Sequence, residues 1–391
     1  MPDASTETQD RGRDLSPSEH EAMRLMQAGA LAQAEALFRE VLTERPDDHQ
    51  IINAIGSLAA QQGRLSEAFQ LFERSVVIAP DDPNVVGNIA AIKQAMAANA
   101  YGFIAQQNWP NALAAYRELI AVDPDNTTAP NALIHCLLET GERPRLSDFA
   151  PELCETELGR HIFVACMPKS GSTFLRTALM ALTGWQEAYL TFAFLQNEEE
   201  VYLPYLRAAA RLDTVVQQHC RATVPNIQLM QAFAIRPIVL VRNLFDAVVS
   251  YTDFFDGGAT VNTFFGGRWD QFDREGRVDL MINYFVPWYL TFFASWTDAM
   301  AREQLDCCFV RYEEMIADKQ GTLERIALFH ELGAAPADCA AALQAVEARK
   351  DMTRFNKGKA GRGEALTDRQ KNRIRELAGC YPDIDFGPVG L

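Results

Sequence analysis

The chain lacks a run of residues uniformly apolar enough to cross a bilayer. One uncharged stretch, residues 280–297, is broken by Asn283, Pro287 and Ser295, whereas a spanning helix needs about 20 predominantly apolar residues. It reads as a buried core helix. Bases are also scarce, 36 against 52 acids, and the formal net charge of −16 disfavours nucleic acid and acidic membrane surfaces as partners. The eight cysteines (Cys136, Cys154, Cys166, Cys220, Cys307, Cys308, Cys339 and Cys380) form no CxxC pair and no Cys/His cluster at metal-ligand spacing. No metal site is expected, and the thiols read as reduced and mostly buried, as in a cytoplasmic protein. Residues 1–14 are polar and mixed in charge, unlike a signal peptide, and read as a disordered N-terminus. A hydrophobic share of 48% argues against wholesale disorder, and 391 residues allow two or three domains.

The first half is repetitive. Gly29, Ala34, Phe38 and Pro46 recur 34 residues later as Gly63, Ala68, Phe72 and Pro80, and 44 residues further on as Gln107, Ala112, Tyr116 and Pro124. A small Ala lets two helices approach, an aromatic fills the space between units, and Pro ends the second helix. Gly56 adds a small residue to the first helix of the second unit. The pattern resembles the tetratricopeptide (TPR) repeat and predicts an all-α solenoid over residues 15–141. Its third unit has a lengthened first helix, 83 to about 106, and a last helix spans about Ala129–Thr140. Residues 1–150 hold 11 bases and 21 acids. The region suits either a groove for a basic or neutral peptide or a scaffold for a neighbouring domain or self-association. Residues 142–159 read as a linker.

From 160 to 391 the pattern changes. Short apolar segments (His161–Cys166, 214–217, 237–241 and 306–310) alternate with helical segments opening near Thr173, Phe245 and Asp279. This predicts an α/β domain, a parallel sheet with helices on both faces, whose sites lie at the carboxyl ends of its strands.

Directly after the first segment stands Met167-Pro168-Lys169-Ser170-Gly171-Ser172-Thr173-Phe174. A small-residue turn into a helix N-terminus makes an anion cradle from backbone N–H groups and the helix dipole. The Walker order GxxxxGK[ST] is absent, because Lys169 precedes Gly171. After the third segment comes Arg242-Asn243-Leu244-Phe245-Asp246-Ala247-Val248-Val249-Ser250-Tyr251. Arg242 offers a forked charge and Ser250 a hydroxyl two helical turns on, while Asp246 reads as a helix cap or a partner of Arg242. Val310-Arg311-Tyr312-Glu313-Glu314 follows the fourth segment, and Phe355-Asn356-Lys357-Gly358-Lys359-Ala360-Gly361-Arg362-Gly363 lies near the C-terminus. Residues 349–375 hold ten bases and three acids, a cationic island in an acidic chain.

In this order the motifs resemble the 5′-phosphosulfate loop, the R-N-P-x-D-x-x-x-S-x-Y element, the Y-E-D segment and the R-K-G-x-x-G loop of PAPS-dependent sulfotransferases. Leu244 replaces Pro, and Asn356 replaces Arg. The resemblance implies a domain over 160–391 that takes PAPS (3′-phosphoadenosine-5′-phosphosulfate) as donor and releases PAP, without a metal. It implies that Lys169, Ser170, Gly171, Ser172, Thr173 and Phe174 meet the 5′-phosphosulfate. Arg242, Ser250, Lys357, Gly358, Arg362 and Gly363 would hold the 3′-phosphate and nucleotide, with Lys357 and Arg362 both open as the phosphate partner. Tyr312 would neighbour adenine.

His219 follows the second predicted strand, between the two phosphate motifs, where the family places its K-x-H histidine; Gln217 replaces the Lys. An imidazole of ordinary pKa, about 6.5, suits general-base work at neutral pH. A structural histidine bonding a loop is the alternative, and Glu198, Glu199 and Glu200 are reserve bases that otherwise read as solvated surface. The catalytic set is therefore His219, Lys169 and Ser250. His219 takes the acceptor proton, Lys169 and the loop N–H groups stabilise the departing oxygens, and Arg242, Ser250 and Lys357 set the donor's register.

The acceptor is less legible. Tyr189, Phe192, Phe194, Tyr202, Tyr205 and Phe254 belong to an aromatic-rich stretch, and Gly257-Gly258 and Gly266-Gly267 flank Phe264-Phe265 as a lid would. These surroundings favour a small alcohol or phenol. A protein tyrosine read by the repeats, a small-molecule kinase built on the same loop, and a TPR adaptor with an inactive transferase domain are the alternatives.

Overall fold

The computed structural model describes residues 15–192, 198–257, 268–348 and 361–391. Residues 1–14, Phe194, Gly258, Phe264, Phe265, Gly266, Gly267, Asn356, Lys357 and Gly358 lie outside the described residues. The chain divides into two units, one ending at Thr140 and one beginning at Gly141.

The first unit is helical: α1 (Pro17–Gln27), α2 (Leu31–Glu44), α3 (His49–Gln61), α4 (Leu65–Ile78), α5 (Pro83–Ala105), α6 (Trp109–Val122) and α7 (Ala129–Thr140). Local chemistry sets the starts. Ser16 and Glu19 close a capping box on α1, and Asp48 and Asp82 accept N–H groups at the heads of α3 and α5. The repeated positions are the buried ones: Ala34, Ala68 and Ala112, with Phe38, Phe72 and Tyr116 one turn on. Gly56 lies so close to Phe72 that a Cβ there would stand 2.7 Å from the ring. Gly29 and Gly63 take left-handed turns (φ +76 and +78) before α2 and α4, and Gln107 takes the same turn (φ 54) before α6. Glu35, which is buried, binds Arg39, Arg64 and Gln62 and so ties the first two repeats together.

The second unit opens with short 3₁₀ turns, Leu146–Asp148 and Pro151–Leu153, around buried Phe149, Ala150 and Leu153. Part of the segment expected as a linker is thus buried. Then come β1 (His161–Cys166), α8 (Ser172–Thr183), β2 (Gln186–Ala188), α9 (Leu203–Ala209), β3 (Thr214–Gln218), α10 (Val224–Ala232), β4 (Ile238–Val241) and α11 (Leu244–Asp256). They are followed by α12 (Arg274–Ala301), β5 (Cys308–Arg311), α13 (Tyr312–Ala317), α14 (Lys319–Phe329), α15 (Pro336–Ala348) and α16 (Asp368–Ala378). The five strands are parallel in the order β2-β3-β1-β4-β5, with His161 opposite Thr214 and Val164 opposite Ile238. β2 is too short and polar to read from sequence, and β5 begins two residues later than expected.

β1 is buried on both faces, as a central parallel strand must be. Ile162, Val164, Val215, Leu240 and Val310 pack against α8, α14 and α15. On the other face, Phe309 of β5 meets Phe293 of α12 at 6.3 Å between ring centroids. The uncharged stretch 280–297 lies inside α12, whose Met281, Phe285, Tyr289 and Phe292 are buried. Among the described residues no helix is long and apolar enough to cross a membrane.

Candidate active site

The carboxyl ends of β1, β3 and β4 converge on the β1–α8 loop. Met167 extends β1 by donating to Leu240 O (3.1 Å), and Ser170 Oγ turns the loop by donating to Met167 O (2.6 Å). Lys169 sits in the left-handed region at φ 66, a strain of about 1–3 kcal/mol for an ordinary residue that the surroundings must hold. They do: Arg242 Nη1 donates to Lys169 O (2.7 Å), and the buried Tyr289 hydroxyl donates to Pro168 O (3.1 Å). Gly171 (φ +83) caps α8, and a Cβ there would stand 2.9 Å from the Tyr312 ring. Ser172, Thr173 and Phe174 form the first turn of α8, the end of a helix that favours an anion. The Lys169 ammonium lies 4.0 Å from the centre of the Phe254 ring.

Phe174 differs from its sequence assignment in one respect. Its ring belongs to the core under the sheet, below Lys319, so only its backbone faces the loop mouth.

Arg242 follows β4 directly and is 4% exposed. Burial lowers its pKa, against the opposing pull of Tyr312, Asp246 and Glu313. Its guanidinium stacks on Tyr312 at 4.1 Å, so that ring is sandwiched between Arg242 and Gly171 rather than standing open to a base. Asp246 does not cap α11; the Asn243 side chain does, accepting from Asp246 N (3.2 Å). The Asp246 carboxylate lies 3.9 Å from Arg242 and accepts the N–H groups of Gly361 (2.8 Å) and Gly363 (2.7 Å), pinning the C-terminal glycine loop to α11. Gly363 is forced by this contact, since a Cβ would fall 2.4 Å from Phe245 Cβ. Arg362 pairs with Asp253, which also binds Arg274. Ser250 is buried on α11, between Asp246 and Asp253 in sequence and spaced to share their face.

His219 leaves the end of β3. Its Nδ1 lies 2.8 Å from the Cys166 carbonyl oxygen and 3.4 Å from Cys166 Sγ. Nδ1–H donating to that carbonyl leaves Nε2 with its lone pair free for a proton. Burial works to lower the imidazole pKa, but the Cys166 sulfur and carbonyl and the Glu199 carboxylate outweigh it and raise it to about 9. Glu199 also grips the His219 backbone, accepting its N–H (2.7 Å) and donating to its C=O (2.9 Å). The three-glutamate run is therefore not a solvated surface. Glu198 pairs with Arg221 and accepts from Trp288 Nε1 (2.8 Å), Glu199 is buried, and Glu200 accepts from Thr223 (3.1 Å).

Aromatic rings gather beside Lys169. Buried Tyr251 stacks on Phe255 at 4.9 Å, touches Phe285 at 4.5 Å and neighbours Phe254 at 6.1 Å. Tyr284, 47% exposed, meets Phe285 at 4.9 Å. The structure thus joins Lys169, Gly171, Arg242, Tyr312 and Gly363 through direct or single-residue contacts and brings His219 against the last residue of β1. Sequence reading missed Cys166 and the buried role of Glu199, and neither carries a signal in its spacing. Of the two roles read for Asp246, the structure shows the pairing with Arg242 and gives the cap to Asn243.

A Sulfotransferase domain family model matches residues 159–375, and a Tetratricopeptide repeat model matches residues 21–83. Among solved structures the chain is similar to a crystal structure of mouse sulfotransferase SULT7A1 complexed with PAP, at 15% identity and a TM-score of 0.44. That similarity covers 59% of this chain and 87% of the mouse chain. No curated protein matches. With the domain match spanning more than half its length and the repeats preceding it, the chain belongs to the sulfotransferase domain family.

Proposed function

We propose that the protein transfers the sulfuryl group of PAPS to an acceptor hydroxyl and releases PAP. The observation that carries this reading is the pair of bonds tying three strand ends together: Arg242 to Lys169 O at 2.7 Å and His219 to Cys166 O at 2.8 Å. They support reading His219 as the general base, Lys169 as the cation and Arg242 as the forked phosphate binder beside the N-terminus of α8. The cradle suits the phosphosulfate end, because Gly171 keeps the turn tight and the first turn of α8 presents its N–H groups. Arg242, Ser250, Arg362 and the clamped glycine loop suit the 3′-phosphate end, with Lys357 a further ligand of that phosphate.

In the transfer, His219 Nε2 accepts the proton of the acceptor hydroxyl as that oxygen bonds to sulfur. The bond between sulfur and the 5′-phosphate oxygen breaks, and its electron pair stays on the phosphate. Lys169 and the N–H groups of Gly171, Ser172 and Thr173 take up the charge that gathers there. Against the effect of burial, the Cys166 and Glu199 groups beside His219 raise its pKa, so more of the neutral base is present, and turnover rises, as pH increases.

The aromatic cluster beside Lys169, with Phe254 against its ammonium and Tyr284 exposed, supports a small alcohol or phenol as acceptor. The repeats favour a second reading, a polypeptide tyrosine acceptor. Sulfur-35 PAPS in desalted cell extract and in metabolite extract, with Lys169→Ala as control, separates them. Label on small molecules supports the first and label on protein the second. Label in neither fraction, or label undiminished in the variant, overturns the reading.

A further inference from the structure

We propose that the Cys166 thiol is a positioning residue that, with the carbonyl of the same residue, holds His219 in the tautomer a general base needs. The inference rests on the assignment of His219 as that base. Cys166 is the last residue of β1 and fully buried. Its Sγ lies 3.6 Å from the carbonyl oxygen of Gln218 and 3.4 Å from His219 Nδ1. A thiol has one proton to give. Given to Gln218 O, it leaves the sulfur lone pairs facing Nδ1, beside a carbonyl oxygen only 2.8 Å from the same nitrogen. Two acceptors then converge on Nδ1, and a proton there satisfies both. The opposite tautomer would set the Nδ1 lone pair against that carbonyl oxygen.

Other groups around the ring act elsewhere. Glu199, from the segment before α9, binds the His219 backbone rather than the imidazole. Cys220, next in the chain, is buried, and burial raises its thiol pKa further from ionisation. Tyr251 of α11 is buried, with its pKa raised first by burial and then by Glu199. None of these supplies a bond to Nδ1 in place of Cys166.

The test is nitrogen-15 NMR of the full-length protein labelled at histidine, with His219→Gln assigning the signal, alongside kcat and KM for PAPS across pH. In the native protein the neutral ring should carry its proton on Nδ1. Cys166→Ala, which keeps the Cys166 carbonyl but removes the second acceptor, should leave Nδ1–H the major tautomer with a weaker preference and lower the imidazole pKa. At a pH above both titrations, where the ring is neutral, it should reduce kcat about tenfold while KM for PAPS holds, a loss typical of groups that orient a reacting side chain. Cys166→Ser, whose hydroxyl can replace both roles of the thiol, should restore the tautomer preference and kcat. An unchanged tautomer preference and titration in Cys166→Ala would overturn the inference. So would equal impairment of Ala and Ser, which marks a packing role alone. Turnover retained in His219→Gln would instead overturn the base assignment, and it is read independently of the tautomer.

Discussion

Gly171→Ala asks how rigid the donor cradle is. Two costs arise at this position. The residue sits at φ +83, where a side chain costs about 1–2 kcal/mol. Its Cβ would also stand 2.9 Å from the Tyr312 ring, which cannot retreat because Arg242 stacks on it at 4.1 Å and is itself bonded to Lys169 O. Overpacking of that kind costs a further ~1–3 kcal/mol. Gly184, at the other end of α8, supplies the control: φ is +70, and nothing lies within 4 Å of where its Cβ would be. Gly184→Ala therefore isolates the backbone cost, and the excess in Gly171→Ala is the contact cost. Thermal unfolding should show the second unit losing about 2–4 °C per kcal/mol, with Gly171→Ala clearly the larger loss. Calorimetric titration with PAP should show affinity reduced at least about tenfold in Gly171→Ala and unchanged in Gly184→Ala, since a displacement worth about 1.4 kcal/mol is a factor of ten. Equal melting losses together with equal PAP affinities would refute the argument that Tyr312 is a fixed wall.

Other perturbations follow from single contacts. Asp246→Ala strands the N–H groups of Gly361 and Gly363 and should cost ~3 kcal/mol in urea unfolding; a loss below about 1 kcal/mol would mean the loop is held elsewhere. Gln107→Gly relieves a left-handed turn before α6 and should stabilise the repeat unit by about 1 kcal/mol, with no gain counting against the strain. Gly56→Val drives a side chain into Phe72 and should destabilise the same unit by ~1–3 kcal/mol in the same assay. His330 is buried, and burial with Arg236 and Arg160 lowers its pKa to about 4. The unfolded chain, at about 6.5, binds the extra proton first, so this contribution is complete above pH 6.5 and is lost towards pH 4, by about 3 kcal/mol. An unaltered acid slope in His330→Gln would discount it.

Periodicity in composition made the architecture readable. The 34-residue recurrence of a small residue and an aromatic identifies the repeats because those positions are the interhelical contacts, as buried Ala68 and Phe72 illustrate. The central strands were legible for a similar reason: burial on both faces leaves β1 with no polar alternation to obscure it. The edge strand β2 reads Gln-Glu-Ala, pairs on one side only, and so leaves no such mark. At the site, motif residues were visible because local backbone needs dictate them, glycine at Gly171 above all. Cys166 and Glu199 were not, because each acts on His219 through a contact made only when separate parts of the chain meet, 53 and 20 residues apart.

The clamp between Asp246 and the glycine loop bears on the order in which the molecule is assembled. Its two bonds join residues 115 and 117 positions apart, and the donating residues lie beyond every strand and nearly every helix of the unit. Contacts of such long sequence separation form late, because the loop they close must first be gathered. A growing chain can complete its whole parallel sheet while the Asp246 carboxylate still faces water. The wall proposed to hold the 3′-phosphate is thus finished only once residues 361–363 have been made and folded back, so on that reading nucleotide binding waits for a segment that follows the whole sheet.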